Sequence, residues 1–188
     1  MKAVSFRQPW AFAVPHLGKR VENRVRASHS VRALLERPGE EFLIHASGTS
    51  PRSYFYDACE AIRELVGDAA WDAAMMSSDH SVVASRDRHG VWVPGDGMPM
   101  GGVVGMAMTT GVFLPPNGDA FMRRSNGSDV PAPRSGNEQL RKWHMREQFG
   151  YVIEGVEPLD FYPCKGTLGV FEVAGPDGVY DEDVEDVE

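Results

Sequence analysis

The 188-residue sequence is poor in cysteine, with Cys59 and Cys164 as the two in the chain. Two cysteines do not make a disulfide framework, and no group of cysteines and histidines has the spacing of a zinc site. The sequence also lacks a long apolar run that could span a membrane, and its start lacks the pattern of a signal peptide. We therefore expect a cytoplasmic protein with no metal, no cofactor and no membrane partner.

Positive charge is also scarce, because 19 Lys and Arg residues face 27 Asp and Glu residues, for a net charge of -8. This argues at first against a nucleic-acid partner, which is bound largely through its phosphates. However, six of the carboxylates lie within residues 181–188, and the rest of the chain carries only about -2. We predict a disordered acidic tail at 175–188. Basic residues cluster over 19–37 and 123–146, which is compatible with a local basic face.

What the chain does contain is enough apolar sequence for a core, since 42% of its residues are hydrophobic. That content suits a single domain, which we place at residues 1–174, with a helical insertion at about 50–78. The predicted fold class is α+β. We expect a strongly bent, mostly antiparallel sheet closed as a small β-barrel, with helices on its outside.

The predicted elements follow from the periodicity of apolar residues and from breaker residues. A short helix begins after Pro9 and ends near Pro15 and Gly18. Residues 114–137 contain four prolines and few apolar residues, which predicts a long surface loop. Strands are predicted at 2–6, 21–24, 41–47, 101–113, 149–156, 160–162 and 167–173, and further helices at 50–67 and 69–76.

The most informative stretch reads G-K-R-V-E-N-R, from Gly18 to Arg24. If it is extended, Glu22 and Arg24 point to one side and Val21 to the other. Lys19 lies just before this strand, at the bend that a glycine permits. A cation, an anion and a second cation could then converge on one small pocket. The alternative is a surface strand with ordinary ion pairs, which contribute little to stability.

Each of the three charged residues is a candidate for catalysis. In a cleft with apolar walls the pKa of Lys19 would fall, so that it could act as a base, or it could contact phosphate as a charged group. Glu22 could transfer a proton or accept a hydrogen bond from the exocyclic amine of a base. Arg24 could bind phosphate or carboxylate through two parallel hydrogen bonds. A salt bridge among these side chains is the alternative role of both Glu22 and Arg24.

Two further candidates for ligand binding precede the charged stretch. Trp10 could stack on a base, because stacking on an aromatic face tolerates any base, or it could close the core. Gln8 could hydrogen-bond a base edge or cap the following helix.

The remaining candidates for ligand binding lie at the ends of later strands. His45 and Ser47 close a buried strand, where a structural histidine is the alternative interpretation. His144 and Tyr151 lie near the predicted strand at 149–156, where core packing also explains Tyr151. Cys164 is a weak candidate nucleophile, because the sequence places no histidine partner beside it.

Two blocks of the sequence resemble the ASCH family (activating-signal-cointegrator homology). The first is K-A-V-S-F-R-Q-P-W-A followed by the stretch around Lys19, Glu22 and Arg24, which matches the family pattern G-x-K-x-x-E-x-R. Gly18 adjoins the lysine, whereas the family usually has one residue between them. The second block is Q-F-G-Y-V-I at 148–153 with P-C-K-G at 163–166 and L-G-V-F at 168–171.

This resemblance implies a fold similar to the PUA domain, a small β-barrel that binds nucleic acids. It implies a cleft between barrel and first helices that takes single-stranded RNA or DNA, or a modified nucleoside. One small bacterial relative hydrolyses 4-acetylcytidine with the motif lysine, a threonine where this chain has Glu22, and a distant glutamate, for which Glu147 is the best match here. We therefore expect a nucleic-acid-binding protein. The alternatives are an amidohydrolase of N-acylated cytidine-type nucleosides that uses Lys19 and Glu22, a ribonuclease, and a protein-interaction adaptor.

Overall fold

The structure is a computed structural model. It describes residues 1–25, 29–37, 39–47, 52–76, 84–86, 92–94, 98–114, 119–123, 129–131, 137–145 and 147–174. The predicted acidic tail at 175–188 lies outside the described residues. Within the described ranges, no helix is long and apolar enough to cross a membrane.

Strands and short helices alternate along the described chain. The strands are β1 (Lys2–Phe6), β2 (Val21–Arg24), β3 (Glu41–Ala46), β4 (Ala84–Arg86), β5 (Trp92–Pro94), β6 (Gly102–Leu114), β7 (Asp119–Arg123), β8 (Asp129–Pro131), β9 (Phe149–Pro163) and β10 (Val170–Glu172). The helices are α1 (Trp10–Leu17), α2 (His29–Leu35), α3 (Arg52–Val66), α4 (Asp68–Met76) and α5 (Asn137–Arg141). The predicted α+β class, with helices that flank the sheet, is confirmed.

The main sheet is mixed and bends around the long strand β6. Its central path runs β10-β1-β3-β6-β7-β8, while β9 pairs with β6 and β2 pairs with β9. The β1–β3 pair is parallel and the other described pairs are antiparallel. Strands β4 and β5 form a separate two-stranded sheet.

The predicted closed barrel is wrong, because the sheet stays open. Among the described strands, β10 pairs only with β1 and β2 pairs only with β9, so these two edges do not meet in a ladder. The pairing of β10 with β1 stops at Val4. Just beyond it, Nη2 of Arg24 donates a hydrogen bond to the main-chain oxygen of Ser5 at 2.9 Å. A side chain thus bridges β2 and β1 where a closed barrel would have backbone pairing.

Two predicted boundaries also change. The strands expected at 149–156 and 160–162 are one continuous strand, β9, which bends through Gly155 at φ 57° and pairs Pro158 with Gly105 of β6. Register shifts along the β6–β9 ladder accommodate these residues. The single long loop expected at 114–137 is wrong too, because two short strands lie within it. Strand β7 pairs antiparallel with β6, and β8 pairs antiparallel with β7. Both strands are short and prolines surround them, so the composition of this segment did not indicate them.

Apolar residues of β1 face two sides because successive side chains alternate across a strand. Val4 and Phe6 enter the main core together with residues of α1, α2, β3 and β9. Ala3 faces a smaller cluster formed with Leu43, Val103 and Val173. Burial on both faces fixes the register of β1, and therefore fixes where the residues after it lie.

Helices α3 and α4, in the region expected to be an insertion, share a core with the rest of the domain. Trp71 and Met75 of α4 and Ile62 of α3 are buried in a cluster that includes Phe12 of α1 and Val21 of β2. The same cluster reaches β6 and β9 through Phe113 and Val152. These helices are therefore packed against the segment that carries the Lys19–Arg24 stretch.

We expect Trp71→Ala to lower the free energy of unfolding of the whole domain by about 3–5 kcal/mol, because it leaves a large cavity in this shared core. Urea unfolding followed by far-UV circular dichroism measures the change, and Glu64→Ala on the exposed side of α3 is the control. A loss confined to part of the helical signal, with the sheet unfolding as before, would show that α3 and α4 are an independent unit.

Candidate functional site

Lys19 is placed by the end of helix α1. Gly18 adopts a left-handed conformation, φ 67° and ψ 26°, and ends the helix as glycine commonly does. The N–H of Lys19 then donates to the carbonyl of Ala13 at 3.0 Å, which ties the turn to the helix. The Lys19 side chain returns to the interior, where Nζ lies 5.6 Å from the ring centroid of Phe6 and 5.9 Å from that of Trp10.

Strand β2 places the other two charged residues. Pairing with β9 sets Glu22 opposite Tyr151 and Arg24 opposite Phe149. As their spacing predicts, the two side chains lie together. Lys19 Nζ donates to Glu22 Oε2 at 2.9 Å, and Arg24 Nε lies 3.2 Å from Glu22 Oε1. One carboxylate is therefore shared by two cations.

Burial sets the electrostatics of this trio. The Lys19 residue is only 1% exposed, and Glu22 is also buried. Removal from water lowers the pKa of Lys19 below 10.5, and the charge of Arg24 lowers it further, while the charge and hydrogen bond of Glu22 oppose both effects. The position is therefore not that of a solvent-facing surface pair, which was one of the two interpretations of the sequence.

Beside the trio lies a cavity of about 910 Å³, large enough for a nucleoside or a small ligand. Its walls come from the end of β1, helices α1 and α3, strand β2, the residues Met145 and Gln148, and residues 167–169. Trp10 and Tyr54 form an aromatic wall, because Trp10 Nε1 donates to the Tyr54 hydroxyl at 3.0 Å. The guanidinium of Arg7 lies 5.3 Å from the ring centroid of Tyr54.

Three exposed apolar side chains from three separate segments also line this cavity. They are Val25 at 67% exposure, Met145 at 41% and Leu168 at 101%. Exposed apolar side chains that gather around a cleft are typical of a ligand-binding groove. A ligand with one apolar face would remove them from water.

Several residues predicted from the sequence meet in this cavity. Lys19, Glu22, Arg24, Trp10 and Ser47 all line it. The cavity thus unites the three candidate catalytic residues with two of the candidate ligand-binding residues.

Gln8 hydrogen-bonds the first turn of α1 and is not among the residues that line the cavity. It is fully buried, and its Oε1 accepts a hydrogen bond from the N–H of Phe12 at 3.0 Å. Its Nε2 donates to the carbonyl of Pro99 at 2.7 Å. The structure thus places Gln8 in the helix-capping role that was its alternative.

The other predicted residues lie behind or beside the cavity. His45 is buried, and its Nδ1 lies 3.0 Å from the Ser5 hydroxyl oxygen. His144 stacks on Phe113 with ring centroids 4.9 Å apart, and its Nε2 lies 2.8 Å from the carbonyl oxygen of Gln148. Tyr151 is fully buried in the main core. Glu147, the expected distant glutamate, is exposed and is not among the described lining residues.

The sequence analysis missed other lining residues, of which Arg7, Tyr54 and Ser5 matter most. Arg7 lies in the R-Q-P-W run, where its charge next to Trp10 was a usable signal. Tyr54 lies within the predicted helix at 50–67, where its spacing also fits the apolar face of that helix. Nothing in the local sequence distinguishes Ser5 from an ordinary strand serine.

The described residues offer little redox or metal chemistry. No group of three or more His, Cys, Asp or Glu side chains is placed to hold a metal ion within the described ranges. Burial raises the pKa of the Cys59 thiol to about 12 and also raises that of Cys164. Neither thiol is thus activated as a thiolate.

Comparisons with known proteins assign no family. The sequence matches no protein-family model and no curated protein.

We expect Glu22→Gln to lower the free energy of unfolding by about 3–5 kcal/mol, because it leaves the buried Lys19 ammonium without its carboxylate. Adding Lys19→Met in the same chain should recover part of that loss, since the uncompensated cation is then gone. Urea unfolding of the parent, the two single variants and the double variant measures both effects. The exposed pair Arg63–Asp68, tested by Asp68→Asn, is the control and should change stability by about 0–1 kcal/mol. Additive single effects would contradict a shared buried pair.

Proposed function

We propose that the cavity beside Lys19, Glu22 and Arg24 binds an unpaired nucleotide of single-stranded RNA, or a modified nucleoside, in an ASCH-like domain with a PUA-like arrangement of strands. One observation carries this proposal. A trio of paired charges and an aromatic wall line the same cavity of about 910 Å³. Each half of that combination suits a different part of a nucleotide.

The aromatic wall suits the face of a base. Trp10 is held through its N–H by Tyr54, so its ring is oriented before a ligand arrives. Stacking of one base on an aromatic side chain contributes about 1–3 kcal/mol to binding, regardless of which base it is. The exposed Leu168 and Met145 side chains give the cavity further apolar surface for a planar ligand.

The charged trio suits the edge of a base. Each carboxylate oxygen of Glu22 faces one cation and keeps a second lone pair, which can accept a hydrogen bond from an exocyclic amine. Lys19 uses one of its N–H groups on Glu22 and can offer others to a carbonyl or ring nitrogen. Because Lys19 and Glu22 are buried and Arg24 is paired with Glu22, the three side chains present a donor and acceptor pattern of defined geometry.

The phosphate requires a cation that water can reach. Arg7 lines the cavity and is exposed, with its guanidinium over Tyr54. An exposed arginine beside an aromatic wall can bind a phosphate while the attached base stacks. This local positive charge also answers the objection from the net charge, which six carboxylates at residues 181–188 dominate.

We expect Arg7→Gln to weaken binding of a short unstructured RNA and to reduce its salt dependence. Loss of one phosphate contact should lower the slope of log Kd against log salt by about 0.7. Fluorescence anisotropy with a labelled oligonucleotide at several salt concentrations measures both values. Arg63→Gln removes the same charge from the distant part of α3 and should leave affinity and slope unchanged. Absence of RNA binding by the parent at low salt would refute the proposed function.

The second candidate function is hydrolysis of an N-acylated cytidine-type nucleoside, and the lowered pKa of Lys19 favours it. A lysine that releases its proton more readily than usual, held 2.9 Å from a carboxylate, can exchange a proton with a bound ligand. We expect the parent to convert 4-acetylcytidine to cytidine if this is the reaction. Lys19→Met should then lose rate by a larger factor than affinity, since the lost interaction belongs to the transition state. Chromatography of the nucleosides measures the conversion, and no conversion by the parent excludes this candidate while leaving RNA binding in place.

A further inference from the structure

A second polar arrangement lies on the other side of β1 and takes no part in the charged trio. Ser5 and His45 are register partners in the parallel pair β1–β3, so their side chains project on the same side of the sheet. Ser5 Oγ lies 3.0 Å from His45 Nδ1, and His45 Nε2 lies 3.2 Å from the main-chain oxygen of Cys164. Three groups thus form one line from hydroxyl to imidazole to carbonyl.

The carbonyl determines the direction of these hydrogen bonds. A carbonyl oxygen can only accept, so the proton of the imidazole belongs on Nε2, which donates to Cys164. Nδ1 is then the acceptor, and it takes its hydrogen bond from the Ser5 hydroxyl. The alternative acceptor for that hydroxyl, the carbonyl of Thr167, is farther away at 3.5 Å. The imidazole is therefore placed to receive the proton of Ser5.

The base is buried and fixed, whereas the hydroxyl reaches the cavity. His45 is 2% exposed, and a Cβ at Gly166 would overlap its ring, so the backbone at 166 holds the ring in place. Ser5 is partly exposed and lines the same cavity as Thr167 and Leu168. Arg24, whose Nη2 donates to the Ser5 carbonyl, brings a cation close to this residue.

We propose that Ser5 is a nucleophile and His45 its general base, and that the pair cleaves a carboxylic ester carried by a ligand bound in the cavity. This inference rests on the proposed function only for the position of the ligand. The order hydroxyl, imidazole, hydrogen-bond acceptor is the arrangement that activates serine in hydrolases, here with a backbone carbonyl in the third position.

The reaction requires only the ester and water. Ser5 Oγ attacks the carbonyl carbon while its proton passes to His45 Nδ1, and the carbonyl electron pair moves onto oxygen. When the tetrahedral intermediate collapses, the ester C–O bond breaks and the leaving alcohol takes the proton from Nδ1. Water then attacks the acyl-Ser5 in the same way, its proton passes through His45 to Ser5 Oγ, and the carboxylic acid departs.

The main-chain carbonyl of Cys164 explains why we expect an ester as the substrate. A neutral carbonyl stabilises the transient imidazolium less than a carboxylate would, and burial disfavours that cation further. Attack on an amide has a higher barrier and needs a stronger base than this imidazole, whereas the alcohol of an activated ester leaves more easily. The pair is therefore suited to esters with good leaving groups and not to stable amides.

The test uses the intact protein and two probes, diisopropyl fluorophosphate and p-nitrophenyl acetate. We expect the fluorophosphate to modify one residue, identified as Ser5 by peptide mass spectrometry, and the acetate to be hydrolysed catalytically. Ser5→Ala should abolish both reactions, and Ser53→Ala on α3 should retain both. His45→Gln should slow the modification of Ser5 by about 100-fold or more. Modification at another residue, or unchanged rates in Ser5→Ala, would overturn the proposal.

If His45→Gln does not fold, a pH profile of the parent still tests whether His45 is the base. The described contacts of His45 are neutral groups, namely the Ser5 hydroxyl, the Cys164 carbonyl and the Phe171 ring at 5.3 Å. Burial lowers the pKa of His45 below 6.5, although the bond to Cys164 opposes this. His45 thus stays a neutral base above that pH, and the rate of modification should be level from about pH 8 to 6.5 and fall only below it. A rate that rises tenfold per pH unit across this range would indicate attack without His45 and would overturn the proposal.

The same proteins separate this inference from the proposed function. An unreactive Ser5 in a parent that binds RNA refutes the nucleophile alone. A reactive Ser5 in a parent that binds no RNA refutes the proposed function alone.

Discussion

The carboxylate of Glu22 is the constraint on which the site depends. It is removed from water between two cations, so moving Lys19 or Glu22 away from the other would leave a buried charge without its partner. That penalty fixes Lys19 against the rings of Phe6 and Trp10 and fixes Arg24 against the open edge of β1. The trio is therefore a structural element as well as a candidate binding surface, and its geometry is set before any ligand arrives.

The open edge of the sheet explains why a cavity exists at this position. In a closed barrel, backbone hydrogen bonds would join β2 to its neighbour and fill the space between the strands. Here Arg24 makes the connection with one long side chain, which holds the strands together and leaves room beside them. Helix α3 and residues 167–169 then wall this space without filling it. The open edge of the sheet therefore provides the space in which the candidate site lies.

Local sequence predicted the parts of the fold that depend on local physics. The extent of β1 and β2, the end of α1 at Gly18, and the convergence of Lys19, Glu22 and Arg24 all follow from strand alternation and from the freedom of glycine. Contacts between distant segments could not be predicted in this way. Neither the pairing of Trp10 with Tyr54 nor the passage of residues 167–169 beside Ser5 leaves a local signature, because both arise from tertiary packing. The continuity of β9 was missed for a related reason, since its bulges are supported by β6.

The two candidate chemistries are linked through the backbone of a single strand. Phe6 points to the inner side of β1 against the cations, and Ser5 points to the outer side toward His45, because successive side chains alternate. The carbonyl of Ser5 lies between these sides and accepts the hydrogen bond of Arg24. A ligand that contacts Arg24 therefore contacts the side chain that also holds the backbone of Ser5. A base edge bound at Glu22 and an ester presented to Ser5 would meet the same guanidinium, which allows one small strand edge to recognise a ligand and to position it for reaction.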